Sequence, residues 1–75
     1  MVRWTLARGG QARLAIHDAR GRLVAVLHDG NLAAGDHEVV WSGVDRGGRR
    51  LGSGVYFARL EADGTAQTVK LMLVK

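Results

Sequence analysis

The chain has 75 residues, no cysteine and a formal net charge of +4, with nine Arg and two Lys against seven acidic residues. This length allows one domain, residues 1–75, near the lower size at which a single core supports a fold, and an apolar share of 47% excludes a disordered composition. The lack of cysteine excludes a disulfide framework and a thiolate metal site, and no apolar run approaches the roughly 20 residues that span a bilayer, so we expect no membrane insertion.

The first half of the chain contains three strand patterns. Apolar and polar residues alternate over 2–6, and over 12–17 Ala12, Leu14 and Ile16 alternate with Arg13, Ala15 and His17. This is the period of a half-buried strand. A turn at 18–21 follows, where we expect Gly21 to take a positive φ that a β-branched residue could not hold. Residues 22–28 then predict the return strand of a hairpin.

The middle of the chain contains a connection, a strand and a glycine-rich loop. The connection covers 29–36, and one helical turn over 32–34 would fit within it. Residues 37–41 alternate as a fourth strand. The loop over 42–53 follows, with Asp45-Arg46-Gly47-Gly48 as its tight turn.

Two further strand patterns close the chain. Residues 54–62 and 66–74 are separated by Asp63-Gly64, which is a strong signal for a two-residue hairpin. The chain has no proline and no helical pattern long enough to connect parallel strands, so we expect antiparallel pairing. About six to seven short strands with apolar faces predict an all-β fold of two packed sheets.

Five segments of the chain match, in order, the motifs of a known family. They are the strands around an Asp turn (14–18 and 21–24), an Ala-Gly-x-His-x-Val-x-Trp segment (34–41), loop residues Gly43, Asp45 and Gly48, a Gly-Ser-Gly-Val-Tyr-Phe strand start (52–57) and a closing strand (70–74). With these motifs, the chain resembles the Ig-like domain of the flagellar hook-cap protein and related C-terminal modules of secreted bacterial proteins, including type IX secretion sorting domains. The resemblance spans about 2–75 and implies a small antiparallel Ig-like β-sandwich.

The chain departs from that family at three places. His17 stands where the family usually has Tyr, Ser42 stands where it often has Asp, and the segment with Asn, Pro and Phe that commonly opens the module is missing. Loss of that segment would leave a sheet edge unpaired, and an unpaired edge favours self-association.

The resemblance also implies a function and a location. It implies a non-catalytic structural or sorting module, the C-terminal sandwich of a larger exported bacterial protein that acts in tethering, secretion or extracellular assembly. Such a module would be extracellular or on the cell surface. No signal-peptide pattern precedes the first strand, so we expect any export signal to lie in a longer parent chain.

The reactive side chains do not form a recognisable catalytic or metal-binding motif. The three histidines, His17, His28 and His37, lie on different predicted strands without a short two-ligand spacing. The aspartates have the positions of turn formers, and the arginines near Asp45 oppose a calcium ion there. They are Asp18, Asp29, Asp36, Asp45 and Asp63.

The remaining candidates for enzyme chemistry are equally weak. Neither Ser42 nor Ser53 has a base and an acid at a recognisable spacing. The glycine loop over 43–54 lacks the Gly-Lys-Ser/Thr ending of a phosphate-binding loop and precedes a strand instead of a helix. We therefore expect no enzyme activity, no cofactor and no metal.

The basic residues predict a solvated surface. They fall at turns and at alternate strand positions, namely Arg20, Arg22, Arg46, Arg49 and Arg50, and Arg13, Arg59 and Lys70. Aromatic residues that could stack on bases are not interleaved with them, so we expect no nucleic-acid partner.

Two strand segments are apolar on both sides, which indicates burial of both faces or an interface. They are 23–27 and 69–74, while the adjacent Tyr56 and Phe57 must point to opposite faces of their own strand. The candidate interface residues are Val24, Val26, Tyr56, Met72 and Val74.

These residues predict protein partners or self-association through strand edges. One alternative function is a self-assembling, homo-oligomeric subunit. Another is a glycan-binding module that uses an exposed aromatic such as Trp4 or Tyr56.

Overall fold

The computed structural model describes residues 2–74, which form six β-strands and no helix. The strands are β1 (Val2–Leu6), β2 (Gly10–Asp18), β3 (Leu23–Leu32), β4 (Gly35–Val39), β5 (Gly54–Ala62) and β6 (Thr65–Leu73). The all-β class and the strand count predicted from the sequence are confirmed.

The strands form two sheets in which every neighbouring pair is antiparallel. β1 pairs with β4, and the other four strands follow the order β3-β2-β5-β6. The β5–β6 hairpin turns at Asp63 and Gly64, with φ of 53° and 73°. Positive φ at both central residues is the geometry that suits the right-handed twist of a hairpin, so this predicted turn is confirmed.

The core lies between the two sheets, on one face of the central strands. Leu14 pairs with Leu60 and Ile16 pairs with Ala58 across β2 and β5, and all four side chains are buried. The two-stranded sheet covers this face with the buried side chains of Val2 and Leu6. Successive side chains of a strand point to opposite faces, which places Val2 and Leu6 on β1 and Leu14 and Ile16 on β2 inward.

Two predicted boundaries are wrong in the middle of the chain. β3 does not end at a turn near Asp29-Gly30 but continues to Leu32, and no helical turn forms over 32–34. Ala12 pairs with Gly30 and Gly10 pairs with Leu32, so partners on β2 satisfy the backbone groups that a turn would have left open. β4 pairs with β1 from Gly35↔Leu6 to Val39↔Val2, so it begins and ends two residues before the predicted 37–41.

One predicted turn in each of the 19–22 and 42–53 connections is confirmed. Gly21 has φ of 86°, and its N–H donates to the carbonyl of Asp18 at 2.9 Å. The N–H of Gly48, at φ of 83°, donates to the carbonyl of Asp45 at 3.1 Å. Glycine is favoured at both places because an L side chain rarely adopts this conformation.

Candidate interaction surfaces

Tyr56 and Phe57 lie on opposite faces of β5, and Tyr56 is the buried one. The Tyr56 hydroxyl donates to the carbonyl of Gly52 at 2.7 Å, and its ring lies edge-on to Trp41. A tyrosine near the start of a strand that bonds back to the backbone a few residues upstream also occurs in Ig-like sandwiches. The surface member of the pair is therefore Phe57, which is half-buried.

The other four candidate interface residues differ in exposure. Met72 is 64% exposed, Val74 is 80% exposed and Val26 also lies at the surface. Val24 is half-buried against the core, and its carbonyl accepts the N–H of Arg46. A contact role for these residues stays a prediction.

The sheet places Val26 and Met72 far apart. Val26 lies on the edge strand β3 and Met72 on the opposite edge strand β6, with β2 and β5 between them. Three strand spacings amount to about 14 Å. The two residues therefore lie at opposite edges of the sheet and do not contact each other.

Met72 instead neighbours Val55 and Phe57 on the outer face of the sheet. Val55 pairs directly with Met72, and Phe57 pairs with Lys70 one row further along. We call Val55, Phe57 and Met72 the outer patch. Sequence periodicity indicates that these residues share a face, but it does not indicate that this face is left uncovered.

The edge of β6 differs from the edge of β3. β6 pairs with β5 from Gly54↔Leu73 to Ala62↔Thr65 without a register shift. β3 has two shifts that leave Val24 and Leu27 without direct partners, and bulges of this kind disfavour further strand addition. Val69, on the inner face of β6, is 51% exposed because the two-stranded sheet does not cover it.

Each histidine has a backbone neighbour. Nδ1 of His17 lies 3.3 Å from the Gly21 carbonyl, Nε2 of His28 lies 3.3 Å from the Gly30 carbonyl, and Nε2 of His37 lies 2.6 Å from the Ala33 carbonyl. Residues 2–74 contain no group of three or more His, Cys, Asp or Glu side chains that could hold a metal ion.

The aspartates at two turns accept hydrogen bonds from their own backbone. Oδ1 of Asp18 accepts the N–H of Arg20 and of Arg22, both at 2.9 Å. Oδ1 of Asp45 accepts the N–H of Gly47 at 2.9 Å and of Arg49 at 3.0 Å. The predicted turn-forming role of these two residues is confirmed.

The pKa of the Asp18 carboxyl is also lowered by its hydrogen-bond partners. The hydrogen bond from the Arg22 backbone lowers the pKa of the Asp18 carboxyl below its ordinary value, and the side-chain hydrogen bond from Arg22 adds to this shift. Nε of Arg22 lies 2.9 Å from Oδ2 of Asp18. Each of these contacts favours the charged carboxylate.

The remaining acidic side chains form exposed contacts. Glu38 pairs with Arg3 at 3.1 Å, Asp63 lies 3.7 Å from Arg8, and Glu61 lies 3.4 Å from Arg59. Asp36 accepts the Thr5 hydroxyl and Asp29 accepts the Gln11 amide. The Arg3, Thr5 and Gln11 contacts join paired strands, and the Arg8 contact joins two turns. The Arg59–Glu61 contact lies within β5.

None of the four aromatic side chains in the described residues is fully exposed. Trp4 and Trp41 are half-buried, and Trp4 stacks on His37 with ring centroids 5.6 Å apart. Nε1 of Trp4 is buried without a hydrogen-bond partner among residues 2–74. A glycan platform needs an exposed aromatic face, so this arrangement does not support the glycan-binding alternative.

The architecture defines a class of protein: an Ig-like β-sandwich module with apolar and charged surfaces. In residues 2–74 there is no helix long and apolar enough to cross a membrane. The chain belongs to the FlgD Ig-like domain family, because the model of that family matches residues 2–66. This family is structural. Neither the curated proteins nor the solved structures include a significant match to the chain.

Proposed function

We propose that the chain is a non-catalytic docking module of a flagellar hook-associated protein, and that it binds a protein partner through the outer patch. The parent protein would be exported, and the module would tether or align subunits at the cell surface. The observation that carries this proposal is the exposure of Met72 beside Val55 and Phe57, on a sandwich of the FlgD Ig-like family.

The outer patch suits this role for two physical reasons. Burial of an exposed apolar side chain on association stabilises a complex by roughly 25 cal/mol per Å² of apolar area. The patch also lies on β5 and β6, whose regular pairing makes it a rigid surface that loses little entropy on binding.

The experiment is a binding titration with the purified hook subunit and hook-cap protein of the same bacterium. Wild-type chain is immobilised, and its affinity is compared with that of Met72→Glu and of Val40→Glu. Val40 is the matched control because it is 70% exposed and lies outside the patch. We expect Met72→Glu to weaken binding at least about tenfold, a change of about 1.4 kcal/mol, and Val40→Glu to have little effect.

Two results would contradict the proposal. Absence of binding to both flagellar proteins would argue against the hook-associated role. A sorting role in secretion would then be the next hypothesis to test. Equal binding by all three chains would show that docking uses a different surface.

A second candidate function is self-assembly through β6. The observation that favours it is the unshifted β6 ladder together with the 51% exposure of Val69. Antiparallel pairing of two β6 strands about Val69 would place Lys70 opposite Thr68, so the strand's charged residue would not face its own copy.

Light scattering over a concentration series tests self-assembly. The dimer would have twice the 8.1 kDa mass of the chain, and Val69→Lys would convert it to monomer because it places a charge at the centre of the strand pair. Val40→Lys adds the same charge elsewhere and should leave the dimer intact. A monomer at every concentration of the wild-type chain would rule out this candidate.

A further inference from the structure

Most of the net positive charge lies at one end of the sandwich. The β2–β3 turn supplies Arg20 and Arg22, and the β4–β5 loop supplies Arg46, Arg49 and Arg50. All five are exposed. Against them stand the turn aspartates Asp18 and Asp45, which leaves +3 of the chain's net +4 at this end. We call these five residues the arginine end.

The fold holds the two segments of the arginine end together. The N–H of Arg46 donates to the carbonyl of Val24 at 3.0 Å, which ties the loop to the edge of β3. The loop is itself closed by a bridge between Val44 and Arg50 and by the Leu51 N–H bond to the Gly43 carbonyl at 2.9 Å. The arginines are therefore presented from anchored backbone.

The two aspartates are already used by the turns. Asp45 accepts two backbone N–H groups, and Asp18 accepts two backbone N–H groups and the Arg22 side chain. Within residues 2–74, no acidic side chain lies within 4.0 Å of a guanidinium nitrogen of the other four arginines. Those guanidinium groups remain available to an external anion.

A groove lined by both charged and apolar residues runs between the two segments. Arg22 and Arg46 line it together with Asp45, Gly47 and the half-buried side chains of Leu23, Val24 and Leu51. The Asp45 carboxylate already accepts the N–H groups of Gly47 and Arg49. Charged rims around apolar side chains suit a ligand that carries both carboxylates and aliphatic groups. Guanidinium groups bind carboxylates through paired, charge-assisted hydrogen bonds.

We propose that the arginine end binds an acidic segment of a partner protein, with aliphatic side chains of that segment in the groove. This inference rests on the proposed docking function and adds the chemistry of a partner. Nucleic acid is disfavoured because the residues lining the groove include no aromatic on which a base could stack.

Fluorescence anisotropy with a short peptide of glutamates flanking two leucines tests the proposal. We expect Arg46→Gln/Arg49→Gln to weaken binding at least about fivefold, because each substitution removes a guanidinium group that pairs with a carboxylate. The matched control is Arg3→Gln/Arg59→Gln, which removes the same charge elsewhere and should change affinity less than about twofold. The contacts that Arg46 and Arg49 make within the loop use backbone atoms, so circular dichroism should show both variants folded.

Two comparisons test the chemistry of the ligand. Serines in place of the two leucines should weaken binding about threefold if the groove is occupied. Raising the ionic strength from low to physiological should weaken it further, because exposed charge pairs are screened.

Four results would overturn the proposal. They are no binding of the peptide, equal losses in the two double variants, equal affinity of the serine peptide, and tighter binding of an oligothymidylate of the same charge than of the peptide. If the peptide does not bind but the chain still binds the hook subunit, the proposed function stands. If the peptide binds but the hook subunit does not, the acidic-segment site stands.

Discussion

The Tyr56 ring lies edge-on to the Trp41 ring, with centroids 5.2 Å apart and planes at 68°. Both residues also bond to the loop between β4 and β5: the Tyr56 hydroxyl to the Gly52 carbonyl, and Nε1 of Trp41 to the Val44 carbonyl at 3.1 Å. The pair therefore connects the core to the loop that carries Arg46 and Arg49.

Tyr56→Phe should destabilise the chain by about 1 kcal/mol. The substitution removes the 2.7 Å hydrogen bond to Gly52 and keeps the ring contact with Trp41. Urea denaturation measures the change. Val40→Ala, beside Trp41 but exposed, is the control and should shift the free energy of unfolding by less than about 0.5 kcal/mol. Equal stability of Tyr56→Phe and wild type would mean that water replaces the lost donor without cost.

Gly43→Ala should cost more than Gly48→Ala. Both glycines have positive φ, 76° and 83°, so an alanine at either place costs about 1–2 kcal/mol in backbone strain. At Gly43 the added Cβ would also lie 3.0 Å from Cδ1 of Leu73, whereas at Gly48 it would meet nothing within 4 Å. Thermal unfolding of the two variants measures the difference, which we expect to be about 1–3 kcal/mol. Equal costs would show that Leu73 moves aside freely.

Ile16→Val should cost about 1 kcal/mol of unfolding free energy. Ile16 is fully buried between the sheets. Removal of its methylene therefore loses the transfer free energy of that group and also leaves a small cavity. Val74→Ala also removes apolar atoms but from a residue that is 80% exposed, and it should be near neutral. Chemical denaturation of both variants measures the two changes. An equal loss of unfolding free energy in Val74→Ala and Ile16→Val would contradict this assignment of the core.

Asp18→Asn should reduce the acid sensitivity of the fold. The pKa of Asp18 is lowered in the folded chain, so the unfolded chain binds this proton more tightly. The carboxylate therefore adds stability above its ordinary pKa of about 3.9, and that stability is lost as the pH falls through the lower folded value.

Urea midpoints measured between about pH 6 and about pH 2 test this effect, because that range spans the ordinary carboxyl pKa. Asp18→Asn should be less stable than wild type at pH 6 and approach it at pH 2. Glu61→Gln removes an exposed carboxylate of equal charge and serves as the comparison. A constant gap between Asp18→Asn and wild type over the whole range would assign the loss to the amide and not to the charge.

The sequence was sufficient for the features that depend on neighbouring residues. The hairpin at Asp63-Gly64, the positive φ of Gly21 and the turn at Asp45 follow from backbone preferences and from side chains that bond to their own backbone. Alternation of apolar residues was likewise sufficient to predict antiparallel strands and two packed sheets, because a strand exposes successive side chains on opposite faces.

Only the tertiary structure decided which side of each pattern is inside. Period-2 alternation makes Tyr56 and Phe57 point apart, but the position of Trp41 and Gly52 decides that Tyr56 is the buried one. The same holds for β3, which continues through Gly30 because β2 offers it partners. These outcomes depend on contacts between residues distant in sequence, which local periodicity does not encode.

The candidate surfaces show the same division between local and long-range information. The sequence by itself determined an all-β chain with arginines at its turns and apolar residues on both sides of β6. The tertiary structure decided that Val26 and Met72 lie on opposite edges, that Val69 is left uncovered, and that two separate turns bring their arginines to one end. The physical reason is that strand order and sheet packing set which surfaces meet, and both are settled by long-range pairing.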